Sequence, residues 1–259
     1  MINSQAIAAK LAALPLPDGP LVAALPMYDW PERRDEVDAE WAALRDALHA
    51  RGIDAPEELA RCNADLPPVP GGIRDASGNV IAPDPTTLPP DEFNFEALWQ
   101  HPKLLFAQTC WGPLEHWLGS SVQVIGQDDY TGIEGGQGEL YSSAIVMRRS
   151  SISQTKGEIV GRLSGQRLTY NAPDSMSGYI ALEQMLRDQG ASLDIFVDRI
   201  KSGGHRKSIR MVFESLADVA AIDCRSWELA MQHEPAAREL AVVGWTPLRK
   251  GLPFITARR

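Results

Sequence analysis

Three small or polar residues, Ser175, Ser177 and Gly178, stand where a predicted helix begins after a predicted strand. The first N–H groups of a helix have no partner within the helix, and the helix dipole gives that end a partial positive charge. Such a helix start can bind an anion through backbone N–H groups and hydroxyls. Ordinary capping of the helix by Asp174 or Ser175 would explain the same residues, so both interpretations stand at this point.

Further polar and aromatic residues occupy other transitions from a predicted strand to a helix. In open α/β sheets, ligands bind beyond the carboxyl ends of the strands, where these transitions lie. The candidate ligand-binding residues found in this way are Tyr28, Asp29, Trp30, Thr109, Trp111, Tyr179, His205 and Asp223. His205 begins a helix that carries Arg206 and Arg210, so an imidazole or a guanidinium is available for an oxyanion.

Some of these residues also have a purely structural interpretation. His205 suits a helix cap or a surface group, Trp111 suits a core aromatic, and Asp223 suits a cap on the helix that follows it. Both interpretations of each residue remain open on the sequence alone.

Catalytic motifs of the common enzyme classes are absent from the sequence, which has no GxSxG elbow, phosphate-binding loop, GxGxxG after a strand or HExxH. Cys110 at a helix start would suit a thiolate nucleophile, but no partner base is identifiable and a buried inert thiol is the alternative. The cysteines Cys62, Cys110 and Cys224 form no CxxC pair, which predicts neither a zinc site nor a disulfide framework. We therefore predict no catalytic residues, no metal and no cofactor.

The predicted elements that would position the candidate residues are strands alternating with helices. Apolar runs and helical spacing predict strands at 20–26, 104–109, 122–126, 139–148, 167–171, 195–200, 218–223, 241–245 and 253–257, with helices at 37–52, 93–99, 178–187, 205–216 and 226–232. Residues 66–90 are rich in Pro, Gly and Asp and predict a surface loop, and residues 150–161 predict a flexible connector. Strands that alternate with helices predict parallel sheets covered by helices, here in two α/β lobes around a ligand cleft.

Composition limits the classes of function. A length of 259 residues fits one large domain or two lobes, and the net charge of −9 argues against a nucleic-acid binder, which needs clustered Lys and Arg. No apolar run approaches the roughly 20 residues that span a bilayer. Residues 1–10 lack a basic segment followed by an apolar core, so the sequence as written predicts no signal peptide and a cytoplasmic location.

The segments 171–179, 202–209 and 218–223, taken in order, carry a resemblance to a known family. With them the chain resembles the phosphonate- and phosphate-binding-protein-like solute receptors of ABC transporters, which are type II periplasmic binding proteins. The resemblance covers about residues 21–257, interrupted by the Pro-rich insertion. It implies an α/β fold of two lobes joined by crossing strands, with the ligand cleft between the lobes.

The resemblance also implies where the lobes divide. Residues 141–147 look like the first crossing strand and residues 251–256 like the returning one. The implied boundaries are lobe I at 1–149, with 249–259 returning to it, and lobe II at 150–248.

In receptors of this family the helix start and the His after a Gly-Gly turn hold the ligand's oxyanion, which implies this role for Ser175, Ser177 and His205. Tyr141 and Ser142, at the start of the crossing strand, are further candidate ligand-binding residues.

The chain departs from the family pattern at three positions. Met176 stands where phosphonate receptors usually carry a hydroxyl residue, which removes one donor. Arg225 and Leu252 stand where aminoalkylphosphonate receptors grip the amine with carboxylates, which disfavours an aminoalkylphosphonate ligand. Asp29 and Asp223 offer another route to an amine or hydroxyl.

The resulting hypothesis is a non-catalytic, monomeric receptor that closes on a small anion-bearing ligand for an ABC-type uptake system with a permease partner. The resemblance implies a periplasmic location. The alternative is a cytoplasmic ligand sensor, or an enzyme that uses the same cleft with Cys110 or His205 as the reactive group. The resemblance also shifts our interpretation of the helix start at Ser175 from simple capping to ligand binding.

Overall fold

The computed structural model describes residues 3–152 and 157–258. Its strands are β1 (Val22–Ala24), β2 (Ile73–Arg74), β3 (Val80–Ala82), β4 (Leu104–Gln108), β5 (Val122–Gln127), β6 (Gly136–Gln137), β7 (Leu140–Tyr141), β8 (Ser143–Arg148), β9 (Arg167–Tyr170), β10 (Asp198–Lys201), β11 (Val219–Asp223), β12 (Leu240–Trp245), β13 (Arg249–Lys250) and β14 (Pro253–Ala257). Its α-helices are α1 (Ser4–Ala12), α2 (Arg34–His49), α3 (Phe95–Trp99), α4 (Trp111–Pro113), α5 (Arg149–Ile152), α6 (Ile159–Leu163), α7 (Ala181–Asp188), α8 (His205–Phe213) and α9 (Cys224–His233). The chain forms two compact units, one containing the chain up to Asp128 and from Leu252 onward, the other containing residues 129–251.

The first unit is built on a four-stranded sheet in the order β1-β4-β14-β5. Strands β1 and β4 are parallel, and β14 runs antiparallel to both of its neighbours. Helix α2 buries Val37, Trp41, Leu44 and Leu48 on one face, as its spacing predicts. Trp41 stacks on Phe106 of β4 with ring centroids 6.2 Å apart, so the helix is fixed to the sheet by core aromatics.

The second unit is built on a five-stranded sheet in the order β10-β9-β11-β8-β12. Strands β10, β9 and β11 are parallel, whereas β8 is antiparallel to both β11 and β12. The core between this sheet and α7 contains Ile145, Leu168, Leu182, Leu186 and Val219, all fully buried. Both sheets thus contain the predicted parallel strands and also antiparallel ones, because the alternation of strands and helices reports the order of elements and not strand direction.

Three predicted elements differ in detail. The long strand at 139–148 is divided into β7 and β8, because β7 pairs with β13 while β8 pairs with β11 and β12. The predicted loop at 66–90 contains the ribbon β2–β3. The predicted connector at 150–161 contains α6 and the end of α5, and its residues 153–156 lie outside the described part of the chain.

The units divide at different positions from the predicted lobes. The chain passes from one unit to the other after Asp128 and returns after Gly251, whereas the predicted boundaries followed residues 149 and 248. The difference arises because β8, within the predicted crossing strand at 141–147, makes all its main-chain pairs with β11 and β12 of the second unit. No helix in residues 3–152 and 157–258 is long and apolar enough to cross a membrane.

Candidate functional site

The parallel strands of the second unit bring three of the predicted site segments to one edge of its sheet. β9 and β10 end in register at Tyr170 and Lys201, and β11 runs parallel to β9. The helix start at 175–178 follows β9, His205 follows β10, and Asp223 is the last residue of β11. This is the edge at which open α/β sheets bind ligands.

Ser175 caps the helix that follows β9. Its backbone is extended, and its Oγ accepts a hydrogen bond of 3.1 Å from the N–H of Gly178. A π-helical turn, Met176–Ile180, then runs directly into α7. Capping by Ser175 is therefore confirmed, yet it leaves the Ser175 hydroxyl proton free to donate, and the N–H groups of Met176 and Ser177 have no acceptor within the helix.

Ser177, His205 and Asp223 form one largely buried cluster next to this helix start. Ser177 Oγ lies 2.9 Å from His205 Nε2, and Asp223 Oδ2 lies 3.3 Å from the same nitrogen. Asp223 Oδ1 accepts from the N–H of Ser226 at 2.9 Å and so caps α9. Asp223 thus has its predicted role as a helix cap and also contacts His205, while its role in binding a ligand stays a prediction.

The cluster does not have the geometry of a catalytic triad. In a triad, the carboxylate holds one imidazole nitrogen while the other nitrogen activates the nucleophile. Here both Ser177 and Asp223 contact Nε2, so the carboxylate places the imidazole proton on Nε2 and no base faces the hydroxyl. His205 Nδ1 is buried, and the described residues provide it with no hydrogen-bond partner.

At Gly178 the helix start lies close to Asn171 and His205. A Cβ atom at this position would overlap the side-chain oxygen of Asn171 and lie 3.3 Å from Cε1 of His205. Asn171 Oδ1 is buried, and in residues 3–152 and 157–258 it meets no donor. Asn171 was not among the predicted site residues, although it opens the motif 171–179 that carries the resemblance.

Burial lowers the pKa of His205 below its usual value, and the charge of Asp223 opposes this only in part. The imidazole of the unfolded chain takes up a proton at the ordinary pKa of about 6.5. The stability gained by keeping His205 neutral is therefore fully present above that pH, and it decreases as the pH falls from there toward the lowered pKa of the folded protein. We expect the free energy of unfolding to decrease between about pH 7.5 and 5.5, and the His205→Gln variant to decrease less. Burial also lowers the pKa of His101 in the first unit, so some slope should remain.

Urea titrations across this pH range measure the slope, and the NMR titration of the His205 imidazole measures its pKa directly. A His205 pKa of 6.5 or above in the ligand-free protein would contradict this account.

Arg206 and Arg210 of α8, which the sequence offers as donors to an oxyanion, share one carboxylate partner, and an oxyanion role for them stays a prediction. Buried Glu234 accepts hydrogen bonds of 2.8 Å from Nε of both Arg206 and Arg210. The guanidinium that faces the helix start belongs instead to Arg249 of β13, whose Nη1 lies 4.0 Å from the Met176 sulfur. Sequence reasoning missed Arg249 because it lies 73 residues from Met176 in a two-residue strand without its own motif.

Tyr141 and Ser142 lie next to this arginine on the paired strand. Tyr141 is directly opposite Arg249 in the β7–β13 ladder, and its ring stacks on that of Tyr130 at 5.3 Å. Ser142 Oγ donates to the carbonyl of Gly135 at 2.7 Å. Both side chains therefore have structural contacts within the second unit, and their contact with a ligand stays a prediction, as does that of Tyr179, whose ring packs on Tyr170.

The predicted site residues of the first unit also share one sheet edge. Because β1 and β4 are parallel neighbours, Tyr28, Asp29 and Trp30 emerge beside Thr109 and Trp111. Roles in ligand binding remain predictions for all five.

The side chains at this edge differ in their surroundings. Asp29 Oδ2 accepts a 2.6 Å hydrogen bond from Nε of Arg61, and this bond raises the pKa of Arg61 above its usual value. Thr109 is fully buried, with no partner for its hydroxyl in the described residues.

The thiols offer little support for an enzyme. Cys110 is buried, and burial raises the pKa of Cys224 to about 12, so the Cys224 thiolate is not populated near neutral pH. Within the described ranges, no three His, Cys, Asp or Glu side chains are grouped so as to hold a metal ion.

A known protein family matches the part of the chain that contains Ser177, His205 and Asp223. The profile of a family described as ABC transporter, phosphonate, periplasmic substrate-binding protein matches residues 117–259, which is more than half of the chain. No curated protein sequence matches the chain.

Two solved structures have a similar fold. PhnD1 from Prochlorococcus marinus (MIT 9301), in complex with methylphosphonate, has 20% identity and a TM-score of 0.51, and the match covers 61% of this chain and 58% of that protein. A binding protein component of an ABC phosphonate transporter from Pseudomonas aeruginosa has 16% identity and a TM-score of 0.60, covering 92% of this chain and 69% of that protein. The match thus spans less than two thirds of PhnD1. At these identities the likeness shows a shared fold, which confirms the predicted type II periplasmic-binding-protein class.

Proposed function

Because the chain belongs to the family of periplasmic substrate-binding proteins of phosphonate ABC transporters, we propose that it is a non-catalytic receptor for a small solute that carries an oxyanion. Proteins of this family bind a solute without transforming it. The Ser177–His205–Asp223 geometry supports the same conclusion, since both oxygens contact a single imidazole nitrogen.

The observation that carries the proposal is the buried Nδ1 of His205, which no hydrogen-bond partner satisfies within the described chain. A buried polar atom without a partner costs about 1–3 kcal/mol. An oxyanion at the helix start beside Gly178 would give this nitrogen a partner. Binding would place a second proton on the imidazole, since Nδ1 must donate to an anion, and the nearby Asp223 carboxylate would stabilise the imidazolium.

The helix start supplies the remaining donors. The hydroxyls of Ser175 and Ser177 and the N–H groups of Met176 and Ser177 are positioned at the partly positive helix end. This donor set suits the tetrahedral oxygens of a phosphonate or phosphate group. One relative with this fold was solved with methylphosphonate, which supports the same ligand class.

An aminoalkylphosphonate remains a poor candidate. Arg225 donates to the carbonyl of Asp129 and its guanidinium lies 4.8 Å from the Tyr130 ring centroid. A cation held in this way would repel a ligand ammonium group. We propose further that the receptor is monomeric, acts in the periplasm and delivers its ligand to an ABC permease.

We expect at least one small oxyanion to raise the melting temperature of the protein in a thermal-shift screen, because a ligand bound by the native state stabilises it by mass action. The screen should contain phosphate, alkylphosphonates, sulfonates and carboxylates, followed by calorimetric titration. Ser177→Ala should weaken the best ligand about 10- to 100-fold, since a hydrogen bond to a charged group contributes about 1.5–3 kcal/mol.

Ser164→Ala is the matched control, because Ser164 is an exposed serine of the same unit that follows α6. It should leave both affinity and melting temperature unchanged. If well-folded wild-type protein is stabilised by none of these anions, the receptor proposal fails.

A further inference from the structure

Arg249 is a half-buried arginine of the short strand β13. Its Nε atom is buried with no acceptor in the part of the chain that the structure describes, and no carboxylate there lies within 4.0 Å of its guanidinium. Its side chain contacts the Met176 sulfur, which offers only a weak acceptor. An arginine remains charged at every physiological pH, so this charge needs a partner from elsewhere.

Other arginines of the second unit show how the fold usually treats such charges. Arg206 and Arg210 share Glu234, and Arg167 forms a 2.7 Å ion pair with Asp218. The guanidinium of Arg249 is left without this kind of compensation, although it is less exposed than a surface arginine. An uncompensated, partly buried charge is unfavourable in the ligand-free protein.

Two separate links hold Arg249 beside the helix start. Its Nη1 reaches Met176, the first residue of the π-helical turn. Its strand pairs with β7, and two residues after Tyr141 the Ser143 hydroxyl donates to the Ser177 carbonyl at 2.9 Å. The guanidinium therefore lies beside Met176, which stands where related receptors usually carry a hydroxyl residue.

We propose that Arg249 binds the ligand's oxyanion and makes the receptor selective for dianionic over monoanionic groups. This inference rests on the proposed receptor function. The guanidinium can give two parallel N–H donors to two oxygens of a tetrahedral group, which replaces the donor lost at Met176. Its charge also offsets the Asp223 carboxylate, which would otherwise oppose a second negative charge near His205.

The test compares methylphosphonate with methanesulfonate, which share a tetrahedral shape and differ by one negative charge at about pH 8.5, above the second ionisation of a phosphoryl group. Calorimetry on the wild type should show tighter binding of the phosphonate by about 10-fold or more. Arg249→Met should weaken the phosphonate about 30-fold and the sulfonate less than about 3-fold. Arg249→Lys keeps the charge without the planar fork and should lie between the two.

Arg187→Met is the matched control, since Arg187 is a 60% exposed arginine in the last turn of α7, at the end away from the helix start. It changes net charge equally and should preserve the phosphonate-to-sulfonate ratio. The melting temperature of the ligand-free protein gives a second readout, because Arg249→Met removes an uncompensated charge and should leave it unchanged or raise it. A purely structural arginine would lower it.

An unchanged phosphonate-to-sulfonate ratio in Arg249→Met, while Ser177→Ala still weakens binding, would overturn the role of Arg249 and leave the receptor function standing. A wild-type protein that binds neither these two ligands nor any other oxyanion would overturn both.

Discussion

Replacing Gly178 by alanine is expected to weaken oxyanion binding by about 100-fold or more, which corresponds to about 2.7 kcal/mol. The added methyl group would overlap Asn171 Oδ1 and press on the His205 ring at 3.3 Å. Asn171 has to leave its buried position, and the imidazole must shift relative to Ser177. The groups that line the helix start are then displaced together, so binding should suffer more than stability, for which overpacking costs about 1–3 kcal/mol.

Gly204→Ala is the matched control for this substitution. Gly204 directly precedes His205, its φ of −173° is ordinary extended backbone, and an added Cβ would meet no atom within 4 Å. It should keep wild-type affinity and lower the melting temperature only slightly, since Gly204 is the N-cap of α8 and alanine caps less well than glycine. The double variant Asn171→Ala with Gly178→Ala removes the overlapping atom and should recover part of the lost stability. Wild-type affinity in Gly178→Ala, measured by calorimetry, would show that the helix start is not the binding surface.

Replacing Asp223 by alanine is expected to lower the free energy of unfolding by about 3 kcal/mol, the largest stability effect of any single substitution proposed for this protein. Loss of the cap on α9 contributes about 1 kcal/mol. Removing the carboxylate also leaves Nε2 of the largely buried His205 with the Ser177 hydroxyl alone, and the lost contact with a charged group contributes about a further 1.5–3 kcal/mol. Urea denaturation followed by circular dichroism measures the change.

Asp223→Asn separates these two contributions. The amide oxygen can still accept from the Ser226 N–H, so the cap persists, while the negative charge beside His205 is lost. We expect it to be destabilised by about half as much as the alanine variant. The asparagine variant should also weaken anion binding, because the imidazolium that binding requires loses its counter-ion. Equal destabilisation by both substitutions would show that the cap contributes little.

Much of the fold was predictable because it depends on local patterns. The helical spacing of Val37, Trp41, Leu44 and Leu48 predicted α2, and apolar runs predicted β1, β4, β11 and β14. Strand direction and the division of residues 139–148 were not predictable in this way. They depend on which strands pair, and pairing partners such as β8 and β12 lie about 100 residues apart.

The candidate site shows the same division. The helix start at Ser175, the histidine after the Gly-Gly turn and the carboxylate ending β11 could be identified from residue types at strand-to-helix transitions, because parallel strands deliver such residues to one edge. Their mutual geometry could not be predicted. Ser177 and Asp223 contact the same nitrogen of His205, although they lie 28 and 18 residues from it in the chain, and such contacts depend on side-chain positions in the folded protein.

The amino-acid sequence by itself determined the alternation of strands and helices and the capped helix start at Ser175, because apolar periodicity and capping residues act over a few neighbouring positions. The motifs at 171–179, 202–209 and 218–223, taken in order, indicated the receptor family. Only the tertiary structure decided which arginines have a carboxylate partner. Arg206 and Arg210, which sequence reasoning favoured, share the single carboxylate of Glu234, while Arg249 lies beside Met176 with no carboxylate within 4.0 Å in the described part of the chain. Charge compensation is a property of distances between side chains, and distances across 73 residues are set by the packed sheet.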